Sequence, residues 1–167
     1  PEVMQPTLDI IDSMQVGIDF RYPAVAADAE QTTGSLFPEQ SRQAIDAADA
    51  TLFGSTSGRS TAALFYLRWG KQTFANVRPC QWLPGYTSPM ANPEGIDFAI
   101  VRENLEDLYL GLEGDLDELA ALNYYSRHAR ASLADLGPGK YAIKAITERG
   151  SERVIRHSFE LARRRGC

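Results

Sequence analysis

Ala50-Thr51-Leu52-Phe53, then Gly54-Ser55-Thr56-Ser57-Gly58-Arg59-Ser60-Thr61, then Ala62 to Arg68 is the stretch whose reading decides the fold. Two large apolar residues in a run of four suit a short buried strand. A polar loop bounded by glycines ends that run, and the residues after it have helical spacing and close near Gly70. Strand, loop and helix in that order are the building piece of an α/β layered domain. Working outward toward the start, Val3, Met4, Leu8, Ile11 and Met14 recur at helical intervals between Pro1 and Gln15. Val16, Ile18, Phe20 and Tyr22 then alternate as in a half-buried strand. Asp28 to Phe37 reads as a loop, and Pro38-Glu39 opens a helix to about Ala48 with Ile45 and Ala48 inward.

Toward the end of the chain, Phe74 to Arg78 is strand-like. Pro79, Pro84, Pro89 and Pro93 mark a crossing that does not suit a helix. Ile96 to Val101 reads as a strand ending at Arg102-Glu103, and Tyr141 to Thr147 reads as another, with a polar insertion between them. Ser151 to Arg165 is a final helix with Val154, Ile155, Phe159, Leu161 and Ala162 inward. Its last turn carries three arginines, as the helix dipole favours.

A chain of 167 residues supports one domain or parts of two, with a real hydrophobic core. Apolar residues at 44% and charged residues at 23% match ordinary globular proteins and exclude collagen, coiled coil and a disordered chain. The formal net charge of −5 argues against a nucleic-acid binder that works through bulk positive charge. A small anion gripped by clustered arginines stays compatible with it. Cys80 and Cys167 stand far apart without CxxC spacing, so neither a disulfide framework nor a zinc ribbon is expected, and reduced thiols fit a cytoplasmic chain. No run approaches a membrane span. The chain opens on Pro1-Glu2-Val3, already in a helical pattern, and reads as a fragment of something longer.

The loop after Phe53 reads G-x-x-x-G-R-S-T, one residue short of a P-loop and with Arg59 where that motif has Lys. Its free N–H groups and hydroxyls still suit contact with some ligand. It is not a nucleophile elbow, because Thr56 stands at its centre and His128 and His157 have no recognisable partner. The arginines say more. Arg68 ends a helix, and Arg78 and Arg102 each end a strand. Guanidinium groups beside buried segments need partners, and a carboxylate gripped by two N–H groups is the strongest one. The partner is either a ligand or an internal carboxylate such as Glu103, Glu106 or Asp107. Tyr109, seven residues beyond Arg102, is either a proton donor or an amphipathic core tyrosine.

Three separated motifs, LRWGKQTFANVRP (67–79), VRENLEDLYLGLE (101–113) and SERVIRHSFELARRRG (151–166), resemble the isocitrate and 3-isopropylmalate dehydrogenase family of metal-dependent oxidative decarboxylases. TGSLFP (33–38) and ADATLFG (48–54) fit the same family, so the resemblance covers nearly the whole chain. It implies an α/β, two-lobed fold, incomplete in this chain. Residues 1–73 would belong to the first lobe, and 74–167 would start the second, with an intersubunit arm around 113–140. It further implies that Arg68, Arg78 and Arg102 grip the carboxylates of a malate-type substrate, and that Tyr109 helps deliver a proton after carbon dioxide leaves. Ser55, Thr56 and Ser57 would lie near the nicotinamide of NAD or NADP.

The implied chemistry uses a divalent cation, Mg2+ or Mn2+, to acidify the substrate alcohol and stabilise the enolate. Family members hold that cation with aspartates, and move a proton with a lysine, that lie beyond the segment seen here. The lysine comes from the partner subunit, so a homodimer is expected. Leu64 suits an uncharged group at C3, as in isopropylmalate, whereas VRENLEDLY is closer to the isocitrate-type motif. The expected activity is therefore oxidative decarboxylation of a 3-substituted malate without choice of the acid. A noncatalytic regulatory subunit of the same family, or more distantly a nucleotide-phosphate binder using residues 54–61, are the alternatives.

Overall fold

In the computed structural model, which describes residues 4–54 and 58–166, every described strand lies after residue 74, while helices occur throughout. The chain divides into two compact units, one ending at Lys71 and the other starting at Gln72.

The first unit is helical. Its elements are α1 (Met4–Ser13), α2 (Ala26–Thr33), α3 (Glu39–Asp46) and α4 (Thr61–Phe65), the last continuing into a π-helical turn, Tyr66–Gly70. Helix α2 lies where the sequence reads as a loop. Its residues, AADAEQTT, carry no apolar stripe, so hydrophobic periodicity cannot reveal it. It is held by local bonds instead: the Thr33 hydroxyl donates to the Ala29 carbonyl at 2.8 Å, and Gly34, at φ +75°, donates its N–H to Glu30. The two strands expected here, Val16 to Tyr22 and Ala50 to Phe53, do not form among the described residues. A strand must pair its N–H and C=O groups with a neighbour, and none of the described sheets lies in this unit. Val16 and Ile18 are accordingly exposed. Ala29, Ile45 and Ala63 are its buried apolar residues.

The second unit is built on an antiparallel ribbon, β1 (Ala75–Gln81) with β2 (Asp97–Glu103). Strand β1 runs through Pro79, where the sequence suggested the proline-rich crossing begins. The register explains why. Trp82 N–H donates to the Ile96 carbonyl at 3.0 Å and Asn104 N–H to the Phe74 carbonyl at 2.9 Å. Hydrogen-bonded pairs therefore fall at 82/96 and 74/104 and at every second pair between them. Pro79 faces Ala99 at a non-hydrogen-bonded position, where its missing N–H breaks no ladder bond.

Two smaller ribbons follow, β3 (Glu113–Asp115) with β6 (Lys140–Ala142), and β4 (Tyr125–Ser126) with β5 (Ala131–Ser132). A short helix, α5 (Leu116–Leu119), sits between β3 and β4 in the chain. The long strand expected over Tyr141 to Thr147 is cut to β6 plus one bridge from Ala145 to Asp107, because its partner β3 is itself only three residues long.

Helix α6 (Glu148–Arg165) packs along β2. It starts three residues before the expected Ser151, because Thr147 caps it: the Thr147 hydroxyl accepts from Gly150 N–H at 3.0 Å. Val154, Leu161 and Ala162 turn inward as expected, but Ile155 and Phe159 face outward, Phe159 at 75% exposure.

Candidate functional site

The β1–β2 register brings two of the predicted arginines onto one face. Residues directly opposite in a ribbon share a face, as do alternate residues along a strand. Asn76 lies opposite Arg102 and Arg78 opposite Ile100, so Arg78 and Arg102 are diagonal neighbours on the same face. The Arg78 Nε donates to Asn76 Oδ1 at 3.4 Å, and the arginine is otherwise exposed. On the other face Glu103 meets α6, where Arg153 Nη2 donates to Glu103 Oε1 at 2.8 Å with both side chains about four-fifths buried. Arg165, at the end of α6, pairs with Asp97 at the start of β2.

Beyond Glu103 the polar run at residues 104–107 forms a tight turn built on carboxylates. Glu103 Oε2 accepts from the N–H groups of Leu105 and Glu106 at 2.8 and 2.7 Å. Glu106 in turn accepts from Thr147, through the amide at 2.8 Å and the hydroxyl at 2.6 Å. These bonds hold the Glu106 carboxyl below the ordinary glutamate range, the Thr147 hydroxyl contributing most. Asp107 accepts from Leu108 N–H at 2.8 Å and faces Lys144 at 3.6 Å. Leu105 is buried beneath the turn.

The three carboxylates named as possible internal partners of the arginines are thus taken by Arg153, Thr147 and Lys144. Among the described residues no carboxylate pairs with Arg78 or Arg102. Arg102 instead donates through Nε to the Glu103 carbonyl at 3.3 Å and lies over the Tyr109 ring, 4.5 Å from its centroid. Its Nη2 is buried without a hydrogen-bond partner. A buried guanidinium N–H left unpaired is costly, and a bound anion relieves that cost. The same side chains line a cavity of about 400 Å³ with Glu106, Asp107, Ile146 and Val154. Tyr109 stands at its rim, 46% exposed.

Arg68 belongs to the first unit. It sits half-buried in the π-helical turn with its guanidinium over the Trp69 ring at 5.8 Å, and Leu64 is half-buried one turn earlier. Ser55, Thr56 and Ser57 lie outside the described residues. Arg59, just beyond them in sequence, is paired with Glu30.

Sequence reasoning missed a cluster in the first unit. Tyr66 Oη donates to both Asp46 oxygens at 2.6 and 2.7 Å, and Lys71 Nζ donates to the same carboxylate at 2.9 Å. Tyr66 and then Lys71 pull the Asp46 carboxyl down, and Asp46 in turn pushes the Tyr66 phenol and the Lys71 ammonium up. Arg42 lies over Tyr66 and Phe37, beside a second cavity of about 610 Å³. The residues are 20 and 25 positions apart, so no local spacing signals them. The Thr147 cap was missed too, since sequence reasoning places Thr147 at the end of a strand; a threonine followed directly by Glu148 was the signal that could have found it.

No group of three or more His, Cys, Asp or Glu side chains converges on a metal position among the described residues. No described helix is long and apolar enough to cross a membrane.

The isocitrate/isopropylmalate dehydrogenase family model matches residues 1–167. The chain is 31% identical to the 3-isopropylmalate dehydrogenase of Archaeoglobus fulgidus over 99% of its own length and 44% of the relative's. It is 30% identical to the isocitrate dehydrogenase [NADP] of Thermus thermophilus, over 99% of its own length and 30% of that protein. In fold it resembles the crystal structure of isocitrate dehydrogenase from Methylococcus capsulatus, with a TM-score of 0.61 at 24% identity over 94% of this chain and 42% of that one. The chain therefore spans less than half the length of these relatives. Its mixed helices and ribbons are an incomplete version of their α/β fold, and the chain belongs to the isocitrate/isopropylmalate dehydrogenase family.

Proposed function

We propose that this chain forms part of an NAD(P)-dependent, divalent-metal-dependent enzyme that oxidises and decarboxylates a 3-substituted malate. The observation that carries the reading is the unpaired, buried Nη2 of Arg102, beside Tyr109 in a cavity and on the same ribbon face as Arg78. Two fixed positive charges there suit a dianionic or trianionic hydroxy acid, whose carboxylates would take the unused donors.

In this reading Arg102 and Arg78 bind and orient the substrate carboxylates, and Arg68 supplies a third guanidinium. Tyr109 presents its phenol at the cavity rim as a proton donor to the carbon that loses carbon dioxide. Family membership supports the cofactor, NAD or NADP, near residues 55–57, and the cation, Mg2+ or Mn2+. It also supports a cytoplasmic homodimer in which residues 74–167 open the second lobe and the 113–140 arm meets the partner.

Assay of the full-length protein with isocitrate, 3-isopropylmalate, homoisocitrate and tartrate tests the reading, each with both nicotinamides and with or without magnesium or manganese. Metal-dependent reduction of a nicotinamide with one of these acids is the expected result. Absence of reduction with all four overturns it.

A further inference from the structure

Asp107 is the outlier of the turn between Arg102 and Tyr109. Its backbone lies at φ +67°, ψ −147°, a region that glycine enters freely and that any side chain strains. A glycine there would relieve the strain, yet the chain carries a carboxylate, and both ends of the residue are held. Its N–H donates to the Ala145 carbonyl at 2.9 Å, in the bridge that joins this turn to the segment before α6. Its Oδ1 accepts from Leu108 N–H at 2.8 Å, the first amide of the 3-10 turn Leu108–Leu110 that carries Tyr109 at its centre. Its Oδ2 faces Lys144 at 3.6 Å.

The chain direction just before Asp107 is set by Glu106 on Thr147, and the direction just after it by Asp107 itself. With φ positive at this one residue, the 3-10 turn that follows it holds the Tyr109 ring 4.5 Å from the Arg102 guanidinium. We propose that Asp107 is a positioning residue, whose strained backbone and carboxylate together set the Tyr109 ring over Arg102 at the cavity. It does not itself act on substrate. The proposal rests on the dehydrogenase reading for its effect on turnover, but not for its effect on the ring.

Fluorine NMR of the full-length protein labelled with 3-fluorotyrosine tests it, with the Tyr109 resonance identified by its loss in Tyr109→Phe. Asp107→Gly adopts the same backbone without strain but cannot hold Leu108 N–H, and should broaden that resonance or move it toward the free amino acid. Asp107→Asn keeps an oxygen for Leu108 N–H while losing the charge facing Lys144, and should leave it at the wild-type position. In turnover, Asp107→Gly should lower kcat about tenfold or more with KM held within about threefold, and Asp107→Asn should recover most of that loss. A Tyr109 resonance neither broadened nor moved in Asp107→Gly overturns the proposal, as does Asp107→Asn perturbed as far as Asp107→Gly. The spectra read the ring whether or not a malate is turned over, so failure of the dehydrogenase reading would show in the wild-type assay and not in them.

Discussion

Arg153 on α6 donates to the Glu103 carboxylate at 2.8 Å, and that same carboxylate caps the amides of Leu105 and Glu106. One ion pair thus ties the packing of the helix to the shape of the turn that carries Arg102 and Tyr109. The Arg153 guanidinium also lies over the Phe74 ring at 5.2 Å, and Phe74 meets His157 edge to face at 5.9 Å.

Arg153→Ala leaves Glu103 buried with its strongest donor gone. A charge-assisted contact of this kind contributes about 1.5–3 kcal/mol, so the variant should unfold measurably earlier in urea. Arg153→Lys should recover only part of the loss, since an ammonium cannot reproduce the guanidinium over Phe74. Equal stability of the three proteins would show that the pair does not hold the turn.

Glu106 predicts an acid limb. Its carboxyl is held below the ordinary glutamate range in the folded state by Thr147. The stabilisation is therefore present above the pKa of the unfolded chain and is lost as pH falls through the lower folded pKa. Thr147→Val removes the hydroxyl and should flatten the fall in melting temperature between neutral and acid pH. Parallel curves for the two proteins would remove Glu106 as a source of that limb.

Gly150 lies in the first turn of α6, where a Cβ would run into the Glu106 carboxylate. Glycine to alanine inside a helix ordinarily gains about 1 kcal/mol. Here Gly150→Ala should destabilise, because the carboxylate must leave Thr147 to make room. In an Glu106→Ala background the same change should stabilise, and thermal unfolding of the four proteins in this cycle measures the reversal.

For the proposed activity, Arg102→Ala removes the guanidinium whose Nη2 has no partner within the chain. Loss of one charge-assisted contact should cost about 10- to 150-fold in kcat/KM for the malate-type substrate. Tyr109→Phe should instead depress decarboxylation while leaving reduction of the keto-acid intermediate less affected. Steady-state assays of the two half-reactions separate these outcomes, and an equal loss in both would make Tyr109 structural.

The sequence by itself determined those elements whose signal is carried within one segment. The final helix showed in its apolar spacing and terminal arginines, and β2 in the run from Ile96 to Val101. The family showed in three motifs, since a motif keeps residue types that chemistry requires at fixed spacing. The interactions that shape the turn were decided only by tertiary structure. Glu106 and Thr147 are 41 residues apart and Glu103 and Arg153 are 50, so each bond exists only once α6 lies against β2. The same holds for the failed strands at Val16 to Tyr22 and Ala50 to Phe53. Alternation in a sequence says which face of a strand would be apolar, but a strand forms only where another backbone is placed to complete its hydrogen bonds. Helix α2 shows the converse, a helix without an amphipathic pattern, held by threonine hydroxyls and a glycine cap that periodicity does not register.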